Sequence, residues 1–367
     1  MRIEGMTLSR RDFGGLGLMS LAAAMLAKPG LAFAAASQGE WNAHSLSVAE
    51  RLRSIAPELR PAARRMIENG FPPITEEVLQ AIAQTPMQVQ PMPDIAADIP
   101  VYEHRVPAAG SLPEALVFVI NSEPTLARPA ILHIHGGGHV VGSARGEIPL
   151  LQETARDLDC TLVSVEYHLS PLVRYTTSTE ENYAALLWLH RNAAALGVDA
   201  ERIAVMGESA GGGHAAILAI KARDRGEVPL LFQSLVYPML DDRTGSTRAV
   251  PAHIATVGWS PPENRLGWRS FLGMEPGSAH IPAEAAPARL TDFRGLPPAW
   301  IGVGSVDLFA SEDIDYARKL VEADVPTELL VVPGGFHGFD RIAAETAAAQ
   351  AFTRSKLNAL RRAFANG

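Results

Sequence analysis

Three short glycine-containing segments hold the residues of this chain that could carry out a reaction. They are residues 135–138 (His-Gly-Gly-Gly), 207–211 (Gly-Glu-Ser-Ala-Gly) and 335–338 (Gly-Phe-His-Gly), and Asp307 lies between the last two. A serine hydroxyl becomes a nucleophile when a histidine takes its proton and a carboxylate orients that histidine. Ser209, His337 and Asp307 supply these three groups. The pattern predicts a serine hydrolase.

Ser209 has the local sequence of a nucleophile held on a sharp turn. An apolar run at 203–206 precedes it and a helix of small residues at 210–222 follows. Glycines two residues to either side let the backbone turn without a steric clash, and a helix N-terminus stabilises developing negative charge. The alternative interpretation is an ordinary glycine-rich turn between a strand and a helix.

Residues 135–138 follow another apolar run, at 129–134, and expose consecutive backbone N–H groups. Such a loop suits the binding of an oxyanion, and it could also cradle a phosphate or form a flexible turn. No Lys-Ser/Thr pair follows it, which excludes a phosphate-binding P-loop, and Gly302-Val303-Gly304 does not extend into a dinucleotide-binding motif. We expect no cofactor.

The histidine and the acid both follow apolar runs, at the edge of the sheet where open α/β folds collect their sites. The chain order Ser209, Asp307, His337 is that of the α/β-hydrolases. Asp241 and Asp242 are rival acids on the same edge. Asp307 is favoured because its strand immediately precedes that of the histidine.

A metal site is the competing interpretation of His133, His135 and His139, because alternate residues of a strand share one face. A metal-dependent hydrolase would have an aspartate soon after the His-x-His pair, whereas this chain continues with three glycines after His135. We expect no metal and interpret the remaining histidines, together with Glu208, as structural.

Short apolar runs alternate with helical patterns over most of the chain, which is typical of βαβ units in a doubly wound, mostly parallel sheet. The predicted strands are 115–120, 130–135, 161–165, 203–206, 230–236, 300–303 and 328–332, and the predicted helices are 182–196, 214–222, 314–323 and 342–363. Residues 37–98 form a helical N-terminal segment and 99–367 the catalytic domain. Residues 243–298 interrupt the alternation and indicate a partly helical insertion.

Residues 1–36 resemble a twin-arginine export signal. Ser9-Arg10-Arg11-Asp12-Phe13 precedes an apolar stretch at 14–27, and small residues predict cleavage after Ala34 or Ala36. The apolar stretch is shorter than the roughly 20 residues of a membrane-spanning helix. We therefore expect a periplasmic or secreted protein without stable membrane insertion after cleavage. The only cysteine, Cys160, opens an apolar run and is interpreted as core filler.

Composition limits the class of partner. The 367 residues carry a formal net charge of −8 and are 47% hydrophobic, as in ordinary globular proteins. The mature part has no run rich in lysine and arginine, so nucleic-acid binding is not expected.

Several motifs in order resemble the hormone-sensitive-lipase-like family of bacterial esterases, over roughly residues 129–339. They lie at residues 135–138, 141–143, 167–171, 183–189, 207–212, 237–242, 307–316 and 337–339. The resemblance implies an α/β-hydrolase fold and a triad of Ser209, Asp307 and His337. It also implies an oxyanion hole from the N–H groups of Gly137, Gly138 and Ala210, and a cap formed by the N-terminal helices with parts of the insertion.

The chain departs from the family pattern at Glu208, where aspartate is usual, at Gly213, where asparagine is common, and at 172–174. The resemblance implies hydrolysis of short-to-medium acyl esters through an acyl-enzyme, by a monomer or homodimer. Its alternatives are an amidase, lactonase or acyltransferase with the same triad, or a catalytically silent ligand-binding protein.

Overall fold

The computed structural model describes residues 41, 45–70, 73–84 and 92–366. Within them, eight strands form one sheet. The strands are β1 Val101–Val106, β2 Ala115–Ile120, β3 Arg128–Ile134, β4 Thr161–Glu166, β5 Val198–Glu208, β6 Phe232–Val236, β7 Ala299–Gly304 and β8 Thr327–Val332. Their order across the sheet is β1-β2-β4-β3-β5-β6-β7-β8. The first two pairs, β1 with β2 and β2 with β4, are antiparallel, and all later pairs are parallel.

Helices cover both faces of the sheet. They are α1 Val48–Leu52, α2 Arg60–Asn69, α3 Glu76–Gln84, α4 Ala144–Leu158, α5 Tyr175–Arg191, α6 Ala193–Leu196, α7 Ala210–Arg225, α8 Pro261–Leu272, α9 Ala310–Glu322, α10 Phe339–Ile342 and α11 Ala347–Asn366. Helices α5, α7 and α9 contribute to the core on one face, and α4 and α11 to the core on the other. The predicted doubly wound, mostly parallel α/β-hydrolase sheet is confirmed.

The central strands are buried on both sides, which explains why they read as uninterrupted apolar runs. Ile131 and Leu132 are adjacent in β3, are both fully buried, and belong to the cores on opposite faces. The carboxyl ends of β3 and β5 lie side by side, since Ile134 pairs with Gly207. The glycine loop after β3 and the turn after β5 therefore begin next to each other.

The N-terminal segment contacts two different regions. Ile55 and Leu59, around helices α1 and α2, join the core that also contains Phe336 and Phe339, and the Ala56 N–H donates to the carbonyl of Gly334 at 3.1 Å. Helix α3 instead packs beside the loop that follows β3, where Leu79 meets Val140. Both contact regions flank the segments expected to carry chemistry.

The insertion at 243–298 contains α8 and a single 3-10 turn, Pro287–Arg289. Trp268 and Phe271 of α8 are buried beside Ala210 and Phe309. The insertion is thus part of the core next to the start of α7. The predicted export signal, residues 1–36, lies outside the described residues.

Among the helices of the described residues, none is both long enough and apolar enough to cross a membrane.

Candidate active site

Ser209 occupies the turn between β5 and α7 in a conformation that L-residues rarely adopt. Its φ is 57° and its ψ is −122°, and it is the N-cap residue of α7. A Cβ on Gly207 would overlap the carbonyl of Gly211, and a Cβ on Gly211 would overlap the carbonyl groups of Ile134 and His135. Only glycine fits at these two positions. The strained turn lifts the Ser209 side chain out of the sheet, as expected of a nucleophile elbow.

His337 links Ser209 to Asp307. Its Nε2 lies 3.0 Å from the Ser209 hydroxyl oxygen, and its Nδ1 lies 2.8 Å from Oδ2 of Asp307. The second carboxylate oxygen of Asp307 accepts a hydrogen bond from the Phe309 N–H at 3.0 Å. Tyr237 and Phe309 hold the imidazole by edge-to-face contacts, with centroid distances of 4.7 and 5.2 Å. The structure brings the three residues singled out by sequence into one hydrogen-bonded line.

The rival acids have other partners. Asp241 accepts hydrogen bonds from the Arg243 guanidinium at 2.7 and 2.9 Å, and Asp242 accepts from Arg289 at 2.6 and 2.9 Å. Both carboxylates are fully buried in these ion pairs. It is Asp307 that contacts His337.

The loop after β3 presents backbone N–H groups beside Ser209. Gly137 and Gly138 have φ values of 118° and 58°, and in the described part of the chain their N–H groups donate to no other group. A Cβ on Gly136 would lie 3.4 Å from the Cβ of Ser209. Ala210 is the first residue of α7, where an N–H has no acceptor within the helix. These three N–H groups are the candidate oxyanion donors.

Glu208 faces away from this chemistry. Its Oε2 lies 2.9 Å from Nε2 of His133 and 3.6 Å from the Arg341 guanidinium, and the side chain is buried. Burial by itself raises the pKa of this carboxyl. The charges of His133 and Arg341 outweigh that effect and hold the pKa well below its usual value. Glu208 is an anion beneath the elbow, and its carboxylate is engaged by His133 and Arg341.

The three histidines of the competing metal interpretation do not share a site. The ring nitrogens of His133 contact Ser164 and Glu208, and His135 stacks on Tyr167 with a centroid distance of 4.3 Å. Burial lowers the pKa of His135 to about 4 and that of His139 to about 3. Over the residues that the structure describes, no group of three or more His, Cys, Asp or Glu side chains could hold a metal ion.

Comparison with known proteins identifies the family. Residues 131–341 match a family described as having the alpha/beta hydrolase fold. The chain belongs to the hormone-sensitive-lipase-like family of α/β-hydrolases. The resemblance inferred from the motifs is confirmed.

Several similar proteins are named as esterases or ester hydrolases. The chain is 36% identical over 241 residues to carboxylesterase NlhH of Mycobacterium tuberculosis, covering 64% of this chain and 74% of the relative. It is 33% identical over 239 residues to an ethyl acetate hydrolase of Pseudomonas putida, covering 63% and 72%. The solved structure of a bacterial heroin esterase is 32% identical, with a TM-score of 0.71 over 85% of this chain and 99% of the other.

Steric contacts explain two of the positions at which this chain departs from the family pattern. A Cβ on Gly213 would overlap the carbonyl oxygen of Met239, so an asparagine could not be accommodated at 213 without a shift of the backbone. The Arg174 guanidinium occupies the space where a Cβ on Gly273 would lie. Arg174 thereby joins the start of α5 to the end of α8, and the unusual sequence at 172–174 belongs to a contact with the insertion.

Trp259, which sequence reasoning did not single out, closes one side of the site. A Cβ on Gly138 would overlap its six-membered ring, and its indole N–H donates to Asn264 at 3.1 Å. Gly258 lies against His337, since a Cβ there would be 3.2 Å from the histidine Cβ. A tryptophan in an irregular segment gives no sequence signal of this role. Trp259 and Gly258 show that the insertion contacts both the glycine loop at 135–138 and the loop that carries His337.

Proposed function

We propose that this chain is a serine hydrolase that cleaves short-to-medium acyl carboxylic esters through an acyl-enzyme intermediate. The observation that carries the proposal is the line from Asp307 through His337 to the Ser209 hydroxyl, with distances of 2.8 and 3.0 Å. The names of its relatives, a carboxylesterase and an ethyl acetate hydrolase, support esters of small acids as substrates.

In the first step, Ser209 Oγ attacks the ester carbonyl carbon while Nε2 of His337 accepts the hydroxyl proton. Asp307 accepts from Nδ1–H, which fixes the imidazole tautomer and stabilises the imidazolium that forms. The carbonyl oxygen becomes an oxyanion and receives hydrogen bonds from the N–H groups of Gly137, Gly138 and Ala210. Each such donor contributes about 3 kcal/mol to transition-state stabilisation.

Collapse of the tetrahedral intermediate breaks the ester C–O bond, and His337 returns the proton to the leaving alkoxide. The acyl group is then bound to Ser209 as an ester. In the second step, His337 takes a proton from water, which attacks the acyl carbon through the same oxyanion contacts. The bond between Ser209 Oγ and the acyl carbon then breaks, His337 returns the proton to Ser209 Oγ, and the acid is released. These steps use only groups of the chain and water.

The test compares Ser209→Ala and Asp307→Asn with the parent protein on a chain-length series of p-nitrophenyl esters, beside a matched p-nitroanilide. Ser209→Ala should lower kcat by about 10⁵-fold or more and abolish phosphonate labelling. Asp307→Asn should lower it by about 10⁴-fold, because the amide favours the wrong imidazole tautomer. Exposed Ser311→Ala is the matched control. Anilide turnover that exceeds ester turnover, or a fully active Ser209→Ala, would contradict the proposal.

A further inference from the structure

Next to the glycine loop at 135–138, two buried histidines from different parts of the chain contact each other. Nδ1 of His139 lies 3.3 Å from Nε2 of His214, and Nδ1 of His214 lies 3.1 Å from the Asn182 amide nitrogen. All three side chains are about 99% buried. His139 directly follows Gly138, His214 is on α7 five residues after Ser209, and Asn182 is on α5. The contact therefore joins the two segments that supply the oxyanion donors.

The hydrogen-bond chemistry fixes the direction of this chain of contacts. An asparagine amide nitrogen can only donate, so Nδ1 of His214 accepts. Burial lowers the pKa of His139 to about 3 and that of His214 well below its usual value, so both rings are neutral at working pH. A neutral His214 then carries its proton on Nε2 and donates it to Nδ1 of His139. One tautomer of each ring satisfies these two contacts, and Nε2–H of His139 and Oδ1 of Asn182 have no hydrogen-bond partner among the described residues.

The backbone of His139 adopts a conformation that contacts with its neighbours must hold. Its φ is 68°, in the left-handed region that only a few per cent of non-glycine residues adopt. The ring stacks on Phe271 at 3.9 Å with an interplanar angle of 8°, and the His139 carbonyl accepts from the Ser170 N–H at 2.9 Å. The side-chain contacts and this carbonyl hydrogen bond together hold the residue in a conformation that its own preferences oppose.

We propose that the His139–His214 hydrogen bond, oriented by Asn182, is a positioning device that holds the Gly137 and Gly138 N–H groups in register with Ser209 and Ala210. The inference rests on the proposed ester hydrolysis. His214 does not reach the reacting atoms; it acts through His139. Because oxyanion donors act on charge that develops in the transition state, loss of the device lowers kcat and leaves KM nearly unchanged.

The test is His214→Leu against His214→Gln, assayed on p-nitrophenyl acetate with kcat expressed per active site counted by phosphonate labelling carried to completion. His214→Leu removes the donor and should lower kcat by about 10- to 100-fold, with KM within about 3-fold of the parent value. His214→Gln restores an N–H at similar reach and should recover kcat to within about 5-fold of the parent. Exposed His280→Leu controls for loss of a histidine and should match the parent.

A purely structural role would reduce the number of titratable sites and leave kcat per site within about 3-fold of the parent, and that result overturns the proposal. An equal loss in His214→Leu and His214→Gln also overturns it. If His214→Leu does not fold, Asn182→Ala tests the same device from its far end and should lower kcat per site by about 3- to 10-fold. Absence of p-nitrophenyl ester turnover by the parent protein would instead refute the ester hydrolase function itself.

Discussion

Glu208 and His133 form a buried contact between the two strands that carry the candidate site. Oε2 of Glu208 lies 2.9 Å from Nε2 of His133, with the side chains 6% and 0% exposed. His133 lies near the end of β3, two residues before the glycine loop, and Glu208 ends β5 directly before Ser209. This side-chain contact, together with the backbone pairing of Ile134 with Gly207, fixes the distance between the turn that carries Ser209 and the glycine loop at 135–138.

Glu208→Gln should destabilise the protein by about 3 kcal/mol at pH 7, because it removes one charge of a buried network and leaves its partners uncompensated. The measurement is urea unfolding followed by tryptophan fluorescence. Exposed Glu201→Gln, on the same strand, is the matched control and should change stability by less than about 0.5 kcal/mol.

The pH dependence of this effect has a defined sign. The pKa of Glu208 is depressed in the folded protein, so its stabilising contribution is fully present above the unfolded pKa, near 4.3, and is lost as pH falls through the folded value. The difference in stability between the parent protein and Glu208→Gln should therefore begin to narrow below about pH 4 and disappear only near the folded pKa. A difference that stays constant from pH 7 to pH 3 would contradict this assignment.

Asp313 should show the opposite pH dependence. It is fully buried on α9, and neither carboxylate oxygen has a hydrogen-bond partner among the described residues. Burial, together with the nearby charges of Glu312 and Asp307, raises its pKa well above the usual value. For a carboxyl whose folded pKa is raised, stability is full below the unfolded pKa and declines as pH rises, because the unfolded chain ionises and the folded one does not.

Asp313→Asn removes this ionisation while keeping the size of the side chain. The variant and the parent should have the same free energy of unfolding at pH 4. Above pH 4, the variant should become more stable than the parent by about 1.4 kcal/mol for each pH unit, until the carboxyl ionises in the folded parent. Asp315→Asn, whose parent side chain is 51% exposed on the same helix, should show no such gain. Chemical denaturation at pH 4, 6 and 8 measures the difference, and parallel curves at all three would refute the prediction.

Much of the fold was predictable because strands with helices on both faces of the sheet are buried on both sides, and such strands consist of uninterrupted apolar residues. The run at 115–120 coincides with β2, and that at 161–165 differs from β4 by one residue. Strand β1 was missed because residues 102–105 are exposed and carry no such run. Helix α4 was missed because its Pro149 obscured the helical pattern. The local sequence therefore predicts buried strands well, and it predicts exposed strands and proline-containing helices poorly.

The candidate site was predictable where backbone geometry restricts residue type. The turn at 207–211 needs glycine at fixed positions around Ser209, and the sequence displays them. The contacts of His214, Asn182 and Trp259 depend on which helices and loops meet in space. Their spacing from the site along the chain says nothing about that, so these residues could be found only once the elements were assembled.

Residues 1–36 are predicted to direct export by the twin-arginine route. The double variant Arg10→Lys, Arg11→Lys keeps the charge and removes the paired guanidinium groups, so the chain should remain uncleaved in the cytoplasm. The parent chain, expressed in a bacterium that has this pathway, should yield a mature protein starting at residue 35 or 37. Cell fractionation and intact-mass measurement give both results.

Arg2→Lys is the matched control for export, since Arg2 lies outside the motif at residues 9–13, and it should be processed like the parent. Equal processing of the double variant and the parent would refute the twin-arginine interpretation. It would leave the proposed chemistry untouched, because that rests on residues from 135 onwards.

Trp259 should limit the length of acyl group that the site accepts. Its ring lies across Gly138, and its indole N–H is fixed by Asn264 at 3.1 Å, so the ring cannot swing away without losing a hydrogen bond. Trp259→Ala removes this wall. The ratio of kcat/KM for p-nitrophenyl octanoate to that for the acetate should rise by roughly tenfold, since room for one or two further methylenes in an apolar pocket is worth about 1 kcal/mol each. The control is Trp188→Ala, which removes a tryptophan that stacks on His104 of β1 and should leave the ratio unchanged. If both variants keep the parent ratio, the acyl group lies elsewhere and another element sets its length.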